Sequence, residues 1–228
     1  MALGVFFCLH TAFAAATTYE PFGPLVVETV KPKGNVAFWL ATSLKRIFPS
    51  SEPGDANLEL LAARNSRISF QACLKNRRTD ELKAECAVIG ADDLKPQVRY
   101  VGLVPMHHFT SGTDLRELDG VNQLPGLVPD PLVPLTKVTS IGPTESRSFW
   151  ITLSIPADAR PGVREFRVRL AINNNTQHVE MPVKLEIAPL VVQPRKDFPV
   201  IHWWRGEATW DYYKTGMFDE RWWRITHD

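Results

Sequence analysis

Apolar and polar residues alternate most regularly between Phe149 and Ile187. In FWITLSI, Phe149, Ile151, Leu153 and Ile155 fall on one side and Trp150, Thr152 and Ser154 on the other, the period-2 signature of a strand. PADARPG follows, with Pro161-Gly162 as a turn, because proline pre-sets φ and glycine accepts positive φ. VREFRVRLAI then puts Phe166, Val168, Leu170 and Ile172 on one face and Arg167 and Arg169 on the other. Asn173-Asn174-Asn175 turns the chain again. HVEMPVKLEI points Val179, Met181, Val183, Leu185 and Ile187 inward and His178, Glu180, Lys184 and Glu186 to solvent. The pattern predicts three consecutive antiparallel strands. Such a meander buries one face only and needs a second sheet to cover it.

Upstream, PLVVETV, NVAFWLATSL, the two halves of NLELLAARNSRISFQACLKN broken near Asn65-Ser66, KAECAVI and QVRYVGLVPM add further short strands. The total is roughly eight or nine, enough for a two-sheet antiparallel β-sandwich of immunoglobulin-like type, and helix signals are weak. Between His107 and Ser148 the alternation lapses. There Pro125, Pro129, Pro131 and Pro134 remove ladder donors, so the stretch reads as a proline-braced loop over one end of the sandwich. Its Leu124, Leu127, Val128, Leu132 and Val133 are too apolar for a solvated loop and predict a wall that touches protein.

A boundary follows at Pro189, Pro194 and Pro199, and composition then changes: five of the seven tryptophans lie beyond it. FPVIHWW reads as a buried strand, RGEATWDYYKTG as a loop and FDERWWRITHD as an opening helix with Asp219 near its N-cap. Strand, loop and helix make the first unit of a β/α architecture, and a barrel of that kind needs about 250 residues. The expected organisation is a signal peptide over 1–16, the sandwich over 17–188, a linker over 189–199, and the truncated start of a (β/α)8 barrel over 200–228.

The signal reading rests on apolar Leu3 to Leu9 and the A-x-A pattern Ala12-Phe13-Ala14, although a basic leading region is missing. The run is too short to span a bilayer, so a secreted or periplasmic protein without a membrane span is expected. Export changes how cysteine is read. Cys73 and Cys86 remain as an even pair in an oxidising compartment, where a disulfide is open to them, yet Cys73 runs in phase with Gln71 and favours buried free thiols. A formal net charge of +1 gives no electrostatic case for a nucleic-acid partner. His107, His108 and His202 have no metal-ligand spacing, and no cofactor is implied.

Several stretches carry a family resemblance. AARNSRISFQACL resembles the A-A-R-N-E-x-E-S-F-Q strand pair of a secreted, glycoside-hydrolase-like bacterial family with an N-terminal sandwich and a C-terminal (β/α)8 barrel. PDPLVPL, FWITLSIPADARPGVREFRV and GMFDERWW occur there in the same order. That family is related to glycoside hydrolase family 123, which implies release of N-acetylgalactosamine from glycans. The resemblance further implies an Asp-Glu pair on a barrel strand, one carboxylate orienting the substrate's acetamido nucleophile and one protonating the leaving oxygen. The acidic pairs present, Asp92-Asp93 in a sandwich turn and Asp219-Glu220 at a helix cap, do not sit on such a strand, so this chain is expected to carry no catalytic residue.

Trp203, Trp204, Arg205 and Glu207 stand at the C-terminal end of the first barrel strand, where barrel active sites form, and are the candidate substrate-binding residues. The other reading of these tryptophans is barrel core, the commoner use of aromatic clusters. Two functions follow. One is the accessory sandwich of a secreted glycan hydrolase, whose partners are its own barrel and a glycan substrate. The other is a non-catalytic sandwich that binds carbohydrate or protein at a cell surface.

Overall fold

A computed structural model describes residues 35–108, 114, 116, 120–135, 138–172, 177–194 and 220. The signal segment, PLVVETV and the tail expected to open a barrel lie outside the described residues. The chain divides into two compact units, Met1–Val191 and Val192–Asp228.

Among the described residues the first unit holds ten strands: β1 Val36–Thr42, β2 Leu58–Arg64, β3 Ser66–Asn76, β4 Leu82–Ile89, β5 Gln97–Met106, β6 Gly126–Pro134, β7 Thr139–Ile141, β8 Ser146–Ile155, β9 Gly162–Ile172 and β10 Gln177–Val191. They form two five-stranded sheets, β1-β3-β8-β5-β6 and β2-β10-β9-β4-β7. Alternate residues of both sheets meet in one core. Phe70, Phe149, Ile151 and Leu153 of the first sheet join Val168, Leu170, Met181 and Leu185 of the second, all without solvent exposure. The Phe70 and Phe166 rings lie 6.1 Å apart across it, a tilted pair that ties sheet to sheet. The result is mainly β, a two-sheet sandwich.

The order of connections departs from the expected meander. β9 and β10 form the expected antiparallel hairpin, Val179 opposite Leu170 and Val183 opposite Phe166. β8, however, lies in the other sheet, between β3 and β5. The connection from Pro156 to Pro161 arches across the roughly 10 Å between facing sheets. Proline at both its ends removes the N–H groups that a continuing ladder would use.

A second crossing explains the one parallel pairing. Asn65 adopts φ 56, the left-handed region that asparagine tolerates, and passes the chain from β2 directly into β3 of the opposite sheet. The crossing is pinned: Ser66 Oγ donates to Ala63 O at 2.6 Å, Arg64 Nη2 to Pro189 O at 2.7 Å, and Asn65 N to Pro156 O at 3.3 Å. With β3 in the other sheet, β2 has no hairpin partner and lies parallel to β10, Leu60 opposite Leu185. The sandwich is therefore not wholly antiparallel.

The proline-rich stretch is also not the expected loop. Gly126–Pro134 is β6, an edge strand pairing only with β5 through Val128↔Val104 and Val133↔Tyr100. An edge position tolerates proline because one side of the strand needs no ladder partner, and proline there blunts pairing with other chains. Val128 is buried, whereas Leu127, Leu132 and Val133 stay substantially exposed, so the expected wall is apolar but only partly covered among the described residues. The expected linker begins late, because β10 runs through Pro189 to Val191.

Candidate functional site

Trp203, Trp204, Arg205, Glu207 and His202 lie outside the described residues, so the site is built from the sandwich. Of the two acidic pairs, Asp92-Asp93 sits on a single 3-10 turn, Asp92–Leu94. The guanidinium of Arg164 grips the Asp93 carboxylate with both nitrogens, at 2.6 and 2.8 Å, and that hydrogen bonding holds its carboxyl below the usual carboxylate range. A group so held stays ionised and cannot serve as a general acid near neutrality. The same residues line an open cleft of about 720 Å³ with Asp158, Arg160 and the 156–163 arch. Among the described residues no three His, Cys, Asp or Glu side chains gather as a metal site.

The outer face of the first sheet is chemically different. Because Phe149, Ile151 and Leu153 point into the core, Trp150, Thr152 and Ser154 of β8 point outward. On β3 the same phase turns Arg67, Ser69, Gln71 and Cys73 outward, and on β5 it turns out Gln97 and Arg99. Register brings these together: Trp150 lies between Gln71 and Arg99, Thr152 between Ser69 and Gln97, and Ser154 beside Arg67. The Ser69 and Thr152 hydroxyls share a 2.9 Å hydrogen bond. Trp150 and Arg99 are partly exposed, and Arg67 and Gln97 are exposed.

One half of this face is roofed. The chain between β1 and β2 folds over it, packing Ile47 against Trp39, Ala41 and Cys73 as a second, smaller apolar cluster. Gln71 locks the roof: its Nε2 donates to Thr42 O at 3.0 Å and Lys45 O at 2.6 Å, while its Oε1 accepts from Ser148 Oγ at 2.8 Å. Lys45 thus stands at the roof's margin, on the row that holds Trp150. In the other half, Trp150, Thr152 and Ser154 are each partly exposed.

The two sheets differ in charge. β1, β3, β5 and β8 contain no acidic residue, and β6 contributes Asp130 alone. Of their four cations, Lys75 is paired with Glu52 and Arg147 with Glu145, whereas the Arg67 and Arg99 side chains have no hydrogen-bond or ion-pair partner among the described residues. The second sheet interleaves signs, as in Arg167–Glu180 at 2.8 Å and Lys184–Glu59 at 3.1 Å.

The cysteines are free, on opposite sheets, Cys73 on the outer side of its strand. Burial pushes both thiols up from their usual range. We expect Cys73 not to react with iodoacetamide at pH 8 in the native protein and to react at once in guanidinium, as read by mass spectrometry, because it is buried whereas Cys86 is partly exposed. Fast native labelling of Cys73 would contradict its burial. Since the folded thiols keep protons that the unfolded ones lose, folding stability falls as pH rises past about 9.

No protein-family model matches the chain, and no curated protein matches it. Among solved structures it is similar to a family 123 glycoside hydrolase from Clostridium perfringens studied for glycolipid glycan hydrolysis, with TM-score 0.50, 10% identity, 70% of this chain and 28% of that one. The likeness is one of fold. A PapD-like domain of human CEP192 covers 77% of this chain and 99% of its own at TM-score 0.36 and 10% identity. A FixG-related protein from Vibrio parahaemolyticus covers 67% and 96% at TM-score 0.35 and 8% identity. This chain thus spans little more than a quarter of the length of the hydrolase it resembles.

Proposed function

We propose that this chain carries the N-terminal accessory sandwich of a secreted or periplasmic glycoside hydrolase related to family 123, acting on glycans of the N-acetylhexosaminide class. The observation that carries the reading is the fold likeness to a family 123 hydrolase over 70% of this chain. The motifs AARNSRISFQACL and FWITLSIPADARPGVREFRV fall on the two sheet crossings, at Asn65 and at the 156–161 arch. Of the adjacent acidic pair among the described residues, Asp92-Asp93, Asp93 is tied to Arg164 and is unfit as the acid. In this reading the acid and its partner carboxylate belong to a barrel continuing from the tail, and Trp203, Trp204, Arg205 and Glu207 form one rim of its cleft.

The test is the longer product of the same reading frame, purified and given an aryl N-acetyl-β-galactosaminide. Release of the aryl group, lost when an Asp-Glu pair of the barrel is changed to Asn-Gln, is the expected result. A frame that encodes no barrel, or a longer product inert on all aryl N-acetylhexosaminides, would overturn the reading. A second reading, a sandwich that itself binds carbohydrate, is favoured by one observation, the aromatic and cationic outer face of the first sheet.

A further inference from the structure

We propose that the open outer face of the first sheet, centred on Trp150, binds an acidic polysaccharide whose carboxylates pair with Arg99 and Arg67. Three observations converge on it. Trp150 presents a partly exposed indole on a flat strand surface, beside uncharged hydrogen-bonding groups on Ser69, Thr152 and Gln97. Indole faces pack on the apolar C–H faces of pyranose rings while hydroxyls and amides take the ring's own hydroxyls, a pairing of apolar body with placed polar groups. Second, the guanidiniums on either side have no partner among the described residues. Arg99 stands in the row of Trp150, and Arg67 two rows away, roughly 13 Å along the strands. A neutral glycan would leave both fork-shaped donors unused, whereas carboxylates repeated along a chain meet them bidentately.

Third, the sign is one-sided where it matters. The four strands β1, β3, β5 and β8 lack any Asp or Glu, so none of them presents a carboxylate beside Arg67 or Arg99. The second sheet, with its paired charges, offers no such field. Gln71 and Ser148 fix the roof beside Trp150 and so hold the face in shape before the ligand arrives, which lowers the ordering cost of binding. The proposal draws on the glycan-handling reading only for its ligand class. Loss of this binding with hydrolysis by the longer gene product intact would remove the face and leave that reading standing.

The experiment is native gel electrophoresis of the 228-residue chain through gels containing polygalacturonate, its fully methyl-esterified form, or single-stranded DNA. Polygalacturonate is expected to retard the protein, and the ester and DNA to have little effect. Trp150→Ala and Arg99→Gln should each weaken retardation about tenfold, Trp150→Phe much less, and Arg167→Gln on the other sheet not at all. No retardation of the wild type, or equal retardation by the ester, overturns the proposal, as does equal retardation by DNA. Binding unchanged in Trp150→Ala also overturns it, because charge alone then accounts for the effect. Should Trp150→Ala fail to fold by circular dichroism, Arg67→Gln and Arg99→Gln against Arg167→Gln decide the matter.

Discussion

Phe70→Ala is expected to destabilise the protein by about 3–5 kcal/mol, seen as a lower urea midpoint with an unchanged slope. Phe70 is fully buried in β3 and faces Phe166 of the opposite sheet, so truncation opens a void where the two layers meet. Neither layer can collapse to fill it, because Ala72 and Leu74 beside it and Val168 and Leu170 opposite are already closely surrounded. Against a typical domain stability of 5–15 kcal/mol, such a loss approaches unfolding. A loss below about 1.5 kcal/mol would mean that the sheets are not joined through this pair.

The second large effect is polar. Asn76 is wholly buried at the end of β3, and both its amide nitrogen and its carbonyl oxygen are hydrogen-bonded there. Its Nδ2 donates to Asp80 O and Gly142 O, each at 2.9 Å, and its Oδ1 accepts from Arg78 N at 3.0 Å. One side chain thereby holds the turn into β4 and the start of the β7–β8 connection. Asn76→Ala leaves three backbone groups without partners, at about 1–3 kcal/mol each when buried, so a loss of about 3 kcal/mol or more is expected. Asn76→Asp keeps the shape but cannot donate, and should be no better than alanine at neutral pH. Rescue by aspartate would show that packing, not hydrogen bonding, matters at this position.

Much of the strand content was legible because one face of each strand is buried. QVRYVGLVPM became β5 without change of bounds, and the β9–β10 pairing followed the alternation of its two strands. What could not be read is which strands share a sheet. A hairpin and a crossing arch look alike in PADARPG, since both need proline and glycine, and only the packing of two layers decides between them. Likewise Asn65 marks a break in either topology. Prolines hid β6 because their penalty applies to interior strands, and edge position is a tertiary fact.

The candidate face was hidden for the same reason. Trp150, Thr152 and Ser154 are visible as the polar side of one strand, and Arg67 and Arg99 as outward residues of two others. Only register puts Arg99 beside the tryptophan and Arg67 two rows along the same face. The absence of acid from β1, β3, β5 and β8 is visible in the sequence, but it acquires meaning once those four strands are known to be neighbours. The sequence instead drew attention to the later tryptophans, where composition changes most sharply.

On the function proposed above, this chain supports and recognises a glycan while the carboxylates that cut it lie in the barrel. The purified 228-residue chain, incubated at high concentration with an aryl N-acetyl-β-galactosaminide, tests it most directly. Aryl release no faster than the buffer blank is expected. Release that scales with protein concentration and survives repurification would contradict it, placing the reacting carboxylates within these 228 residues.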